Sequence, residues 1–218
     1  MWALSFWNSQ VGKKVVMAVT GLIGVGFVFG HMLGNLQMFQ GPEKMNAYAE
    51  FLKSLGGLLW LARAVLVGAV ILHVVAAVQL TRLKQAARPV GYVKGGQWEV
   101  STFASRSIRW GGALLLVFLV FHLAHFTWRV VFPGYSETNV YGNVIAGFSK
   151  WWVSLFYLVT MAALFLHLYH GIWSSPRTLG AVQPSRNPLA RRVAPLIAIL
   201  VYLGFSAIPA AVLLGILK

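Results

Sequence analysis

From Leu58 to Leu83 the chain reads LLWLARAVLVGAVILHVVAAVQLTRL. Between Arg63 and Arg82 no residue carries a formal charge, and the one ionisable side chain is His73. A run of this length, rising about 1.5 Å per residue as a helix, crosses the roughly 30 Å of hydrocarbon in a bilayer. Backbone in lipid must satisfy its own hydrogen bonds, so the run predicts a spanning helix with a histidine near its middle.

Four further runs have the same character, approximately Val15–Met38, Trp110–Phe132, Trp152–Ser174 and Val193–Leu217. The whole chain agrees with them: of 218 residues 58% are hydrophobic and 10% charged, with a mean hydropathy of +0.72. That composition excludes an ordinary soluble enzyme. The expected fold is an all-α integral membrane protein of five transmembrane helices, one domain over residues 1–218, with the first four helices forming the bundle that carries the histidines. Between the runs lie Gln40-Gly41-Pro42, Arg88-Pro89, Phe132-Pro133-Gly134 and the segment from Pro176 to Pro188, all turn-forming. Seven of the eight prolines are expected in loops or at helix starts, and Pro209 alone inside a span. The first run follows Lys13-Lys14 but is too long for a signal sequence, with no cleavage pattern after it, and reads as a retained helix.

Basic residues set the expected orientation. Twelve of the 18 Lys and Arg lie at the N-terminus (Lys13, Lys14), around the second-to-third loop (Arg82, Lys84, Arg88, Lys94, Arg106, Arg109) and in the fourth-to-fifth loop (Arg177, Arg186, Arg191, Arg192). The other face has Lys44, Lys53, Arg63, Arg129, Lys150 and Lys218. The N-terminus is therefore expected in the cytoplasm and the C-terminus outside. The net charge of +14 would suggest nucleic acid in a soluble protein. Here it lies beside apolar runs and suits anionic membrane lipid or an acidic peripheral partner, not nucleic acid.

Cysteine and aspartate are absent, and Glu43, Glu50, Glu99 and Glu137 all fall outside the apolar runs. Thiolate metal sites and intramembrane carboxylate pairs are thereby excluded on this chain, and a metal would have to use histidine. All six histidines, His31, His73, His122, His125, His167 and His170, lie within the first four runs. Ionisable groups at membrane depth are costly unless paired or ligated, although a single one is often a helix–helix hydrogen bond. Four helices bearing histidine can make two bis-imidazole sites of the kind that hold haem iron. At about 1.5 Å per residue, His31 and His122 lie roughly 24 and 18 Å from the cytoplasmic helix ends, and His73 and His167 roughly 15 and 10 Å. Depth thus suggests an outer pair, His31 with His122, and an inner pair, His73 with His167.

Small residues three or four positions from a ligand admit a flat macrocycle: Ala69, Ala76 and Ala77 around His73, Ala163 and Gly171 around His167, and Gly34 near His31. The same pattern serves plain helix packing. His122 lies instead among Phe118, His125 and Phe126. His125 and His170 each follow a candidate ligand by three residues, as alternative ligands, propionate or quinone contacts, or packed polar groups, and spacing does not choose. Arg63, Arg106, Arg109, Arg129, Lys150 and Arg177 are placed for propionates or for snorkelling. Trp60, Trp98, Trp110, Trp128, Trp151, Trp152, Trp173 and Tyr202 read as interface anchors.

Several blocks carry a resemblance: Gly12-Lys13-Lys14 through Met17-Ala18 to Thr20-Gly21-Leu22, then His31-Met32-Leu33-Gly34-Asn35-Leu36, Phe39-x-Gly41 and Asn46-x-Tyr48-Ala49. His73, Arg109-x-x-Gly112, Phe121-His122-Leu123 and His167-Leu168-Tyr169-His170-Gly171-Ile172-Trp173-Ser174 extend it over essentially the whole chain. The sequence resembles the cytochrome b membrane anchor of succinate:quinone oxidoreductases (succinate dehydrogenase or fumarate reductase, complex II), in the single-chain, five-helix, dihaem class. The resemblance implies two haem b groups, with His31 and His122 on the outer and His73 and His167 on the inner. It also implies quinone, menaquinone in this class, as electron partner, and a cytoplasmic FAD flavoprotein and an iron–sulfur subunit docked on the basic face of a prokaryotic inner membrane. The anchor would be an electron-transfer subunit, with the dicarboxylate chemistry on the other chains. Some members carry a glutamate two residues before the helix-four ligand to support proton movement, and here that position is Phe165. Two other readings stand beside this one: a haem b anchor for a hydrogenase or formate dehydrogenase, and a proton-coupled transporter. The transporter would need broken helices in at least two spans, for which Gly24, Gly26 and Gly30 are the nearest signal.

Overall fold

A computed structural model describes residues 2–87, 102–132, 134–183 and 188–218, with side chains omitted at 188–191. Among the described residues the regular structure is entirely helical. A short helix α1 (Trp2–Asn8) turns at Ser9 into α2 (Gln10–Asn35). The Ser9 hydroxyl accepts from the Gly12 amide at 2.8 Å and caps α2. Gly12 is required here, because a Cβ on it would lie 1.9 Å from the Phe6 carbonyl oxygen. Lys13, only 7% exposed, donates its Nζ to the Trp7 carbonyl at 2.7 Å and so satisfies the end of α1. The Gly12-Lys13 pair is thus a helix corner, and Lys13 is not the free topological charge that its sequence position suggests.

Among the described residues five helices are long and apolar enough to cross a membrane: Gln10–Gln40, Gly57–Ala86, Phe103–Thr127, Trp151–Thr178 and Arg192–Leu213. The protein is a membrane protein of five such helices, and the bounds differ instructively from the hydropathy reading. The first begins at Gln10, not Val15, and closes in a tight 3-10 turn, Leu36–Gln40. Gly41, at φ 96, then leads into α3 (Pro42–Ser54), with Pro42 pre-set for the first helical position. Gly56 (φ 52) starts α4 (Gly57–Ala86).

The third span is displaced most. Thr102 accepts from the Ser105 amide and starts α5 (Phe103–His122), seven residues ahead of the expected Trp110. The span then ends early, in a wide π turn over Leu123–Thr127, and the chain reverses at Arg129 (φ 57). Phe132 is therefore in the loop. Hydropathy cannot register a cap or a π turn, since both are hydrogen-bond features.

Helix α6 (Val140–Phe148), capped by Asn139, precedes α7 (Trp151–Thr178), which passes Pro176 without ending. The last helix, α8 (Pro188–Leu213), contains Pro195 as well as Pro209. Three prolines therefore lie inside helices, against the one expected. Arg88, Pro89, Lys94, Trp98, Glu99, Pro133, Pro184 and Arg186 fall outside the described residues, as does the side chain of Arg191.

Helix α7 packs along α8, α5 and α2, while α2 also packs along α4. The pairs α2–α5 and α4–α7 make at most marginal backbone contact. At the end bearing α3 and α6, Met38, Met45, Val144, Phe148, Val153 and Ile208 form a buried cap over the bundle. Asn46 ties it together, accepting from the Tyr141 amide at 3.0 Å and reaching Asn139 at 3.4 Å. Along the shaft, Met32, Leu168, Ala194, Ala198 and Val201 join α2, α7 and α8, with Met32 seated where a side chain on Gly204 would be.

Candidate functional site

Two histidine pairs bridge the helices whose backbones stay apart. His31 on α2 and His122 on α5 have ring centroids 5.9 Å apart and planes 82° apart. His73 on α4 and His167 on α7 are separated by 6.1 Å and 57°. These are the partners that helix rise and depth suggest, one at each level of the bundle.

The chemistry of each ring follows from its second nitrogen. His73 Nδ1 lies 3.1 Å from the Met17 carbonyl and 3.2 Å from Thr20 Oγ1. Thr20 already gives its own proton to the Val16 carbonyl at 2.7 Å. Both neighbours are therefore acceptors, so Nδ1 carries the hydrogen and Nε2 keeps a lone pair for a metal. His122 Nδ1 is likewise engaged, 3.1 Å from the Tyr157 hydroxyl. His167 Nδ1 is buried with no hydrogen-bond partner among the described residues, a costly arrangement unless the ring answers to a group that is not protein.

Each pair could hold one metal between its two imidazoles. An imidazole nitrogen about 2 Å from a metal on either side puts two trans rings about 6 Å apart, and their planes are free to rotate about the common axis. Among the described residues no three His, Asp or Glu converge on one point. A bare ion would thus have only two protein ligands, whereas a tetradentate macrocycle needs only two. A small recess of about 120 Å3, lined by Phe103, Ser107, Ile108, Gly111, Ala163 and Leu166, opens beside His167. Gly21 lies close against one ring, since a Cβ there would press His73 Cε1 at 3.3 Å, whereas a Cβ on Gly112 would meet His167 Cε1 at an ordinary contact distance of 3.8 Å.

Other expected neighbours have different duties. A Cβ on Gly34 would fall 2.5 Å from the Tyr48 hydroxyl, so Gly34 admits α3 and not a macrocycle. Ala69 and Ala76 are buried on α4, whose one extensive helix partner is α2, and they pack that seam. Gly171 has open space before it.

His125 is fully buried. Its Nδ1 is 3.0 Å from the Tyr157 hydroxyl and its Nε2 3.0 Å from that of Tyr135, so both ring nitrogens are engaged by tyrosine. His170 is half-buried one turn beyond His167, and Arg109 is exposed on α5; neither is drawn into the ring pairs. Phe165 packs against Tyr169 and Tyr202. Arg63 and Arg177 lie over Trp60 and Trp173, and Lys150 over Phe132, while Arg129 pairs with Glu137 at 2.7 Å. Sequence reasoning missed Tyr157, Tyr135 and the role of Thr20, because no spacing rule joins a tyrosine on one helix to a histidine on another. Set against known proteins, the chain matches no family model, no curated protein and no solved structure.

Proposed function

We propose that this chain is the membrane anchor and dihaem cytochrome b subunit of a succinate:quinone oxidoreductase in a prokaryotic cytoplasmic membrane, passing electrons between an iron–sulfur subunit and membrane quinone, menaquinone in this class. The observation that carries the reading is the pair of inter-helix histidine couples at 5.9 and 6.1 Å, stacked at two levels of one bundle. His31 and His122 would hold the outer haem, and His73 and His167 the inner one. The motif resemblance adds the choice of oxidoreductase and the partners, a flavoprotein and an iron–sulfur protein.

Bound haem iron supplies one-electron chemistry, with a potential set by its ligands and their surroundings. The chain's residues do the rest. Met17 and Thr20 orient His73, Tyr157 orients His122, and the apolar helices keep water from both levels. Exposed Lys14, Arg82, Lys84, Arg106, Arg109, Arg177 and Arg192 gather at the end opposite α3 and α6. In this reading that is the cytoplasmic end, where the soluble subunits dock and anionic lipid is met. The transporter alternative loses its nearest signal, since α2 runs unbroken through Gly24, Gly26 and Gly30.

The test is haem b per polypeptide, by reduced pyridine haemochrome on the purified chain or complex. Two per chain is the expected result. One would break a histidine pair, and none would overturn the reading.

A further inference from the structure

One polar feature of the bundle lies outside the ring pairs. Four side chains form a line of hydrogen bonds away from His122: Nδ1 to the Tyr157 hydroxyl at 3.1 Å, that hydroxyl to His125 Nδ1 at 3.0 Å, and His125 Nε2 to the Tyr135 hydroxyl at 3.0 Å. The line is built into three elements. The π turn at Leu123–Thr127 sets His125, α7 sets Tyr157, and the loop before α6 sets Tyr135. Gly147 on α6 is shaped for it, since a Cβ there would lie 2.7 Å from both His125 Nε2 and the Tyr135 hydroxyl. Tyr157 is 6% exposed and His125 fully buried, so water does not compete for the bond between them.

Each link holds one proton and the buried Tyr157 hydroxyl uses its own within the line, so the line can point only two ways. In one, Tyr135 donates to His125 Nε2, His125 Nδ1 donates to Tyr157, and Tyr157 donates to His122 Nδ1. A neutral His122 then carries its hydrogen on Nε2 and has no lone pair there for a metal. In the other, His122 Nδ1 donates to Tyr157, Tyr157 donates to His125 Nδ1, and His125 Nε2 donates to Tyr135. Only this direction frees His122 Nε2.

We infer that Tyr157 and His125 are positioning residues for the outer site: the line His122–Tyr157–His125–Tyr135 runs outward from His122, fixes its ligating tautomer and gives the outer iron a more electron-rich ligand. This rests on the haem reading above. Among the described residues the inner site shows no such line, because His73 Nδ1 ends on the Met17 carbonyl and Thr20, and His167 Nδ1 meets no partner. An imidazole whose second nitrogen donates to a polarised acceptor is a more basic ligand and favours the ferric state. Removing the acceptor therefore raises the potential of that haem alone.

The experiment is a redox titration with electron paramagnetic resonance on purified complexes carrying Tyr157→Phe, Gly147→Ala, Tyr135→Phe or Thr20→Val, with haem content measured on each. Tyr157→Phe is expected to keep two haems, move one midpoint upward and shift one low-spin signal. Gly147→Ala and Tyr135→Phe, which leave His122's own bond in place, are expected to shift the same haem less. Thr20→Val is expected to move the other haem. Unchanged potentials and signals in Tyr157→Phe with both haems retained overturn the inference. Should Tyr157→Phe fail to assemble, unchanged signals in both Gly147→Ala and Tyr135→Phe overturn it equally. Absence of haem from the parent complex overturns the haem reading itself, a distinct result.

Discussion

At the residue scale, glycine separates into two populations that the sequence alone does not distinguish. Gly12, Gly34, Gly147 and Gly204 each face an atom closer than a Cβ tolerates, whereas Gly24, Gly26 and Gly30 face open space. The former are packing requirements and the latter are not. Gly12→Ala drives a methyl into the Phe6 carbonyl of α1, a backbone atom that cannot rotate away, and is expected to cost about 1–3 kcal/mol, the scale of overpacking. Gly24→Ala is expected to be neutral or stabilising, since alanine is the better helix former by about 1 kcal/mol. Thermal unfolding of the purified protein in detergent, followed by circular dichroism, separates them: equal midpoints would refute the distinction. The histidine pairs, by contrast, were legible in the sequence. Helix rise is a fixed quantity, and antiparallel spans turn position along the chain into depth. What the sequence could not show was the second partner of each ring, because Thr20 and Tyr157 are on different helices from the histidines they hold.

At the element scale, hydropathy found five spans and missed α1, α3 and α6, which at 7, 13 and 9 residues are too short to span a bilayer. It also missed the π turn, where the Trp128 amide bonds the Leu123 carbonyl at 2.7 Å in place of the regular helical register. Wide turns of this kind are frequent at functional sites, and this one sets His125. The loop that follows brings Tyr135 onto it. Burial pushes the Tyr135 phenol up from 10.0 to about 12, because the low-dielectric cap disfavours the phenolate. The folded protein thus holds a proton that the unfolded chain releases near pH 10. Stability from this group is complete below that pH and falls as pH rises from 10 toward 12. Alkaline difference absorbance should show one tyrosine ionising near pH 12 that is missing from Tyr135→Phe, and the variant should lose less stability across that window. A Tyr135 that titrates with exposed phenols would contradict its placement against His125.

At the scale of the whole molecule, charge and histidine are distributed along one axis. Exposed cations gather at the end opposite the cap, and the inner histidine pair lies nearer to them than the outer pair. The cap of α3 and α6 closes the far end. Under the proposed function, two ligand levels between a docking end and a capped end would work in series, so losing either level should stop transfer through the membrane while leaving chemistry on the soluble subunits untouched. His73→Ala is the sharper choice, because His73 sits on α4, which packs extensively on α2 alone, and its loss leaves the cap and the α7–α8 core intact. The expected outcome is one haem per chain in place of two, loss of electron transfer to quinone, and unimpaired succinate oxidation by a soluble dye. Retention of two haems would refute the inner pair. A parallel loss of the dye reaction would show that the substitution had disturbed docking at the cationic end, where no histidine lies, and would refute the serial arrangement.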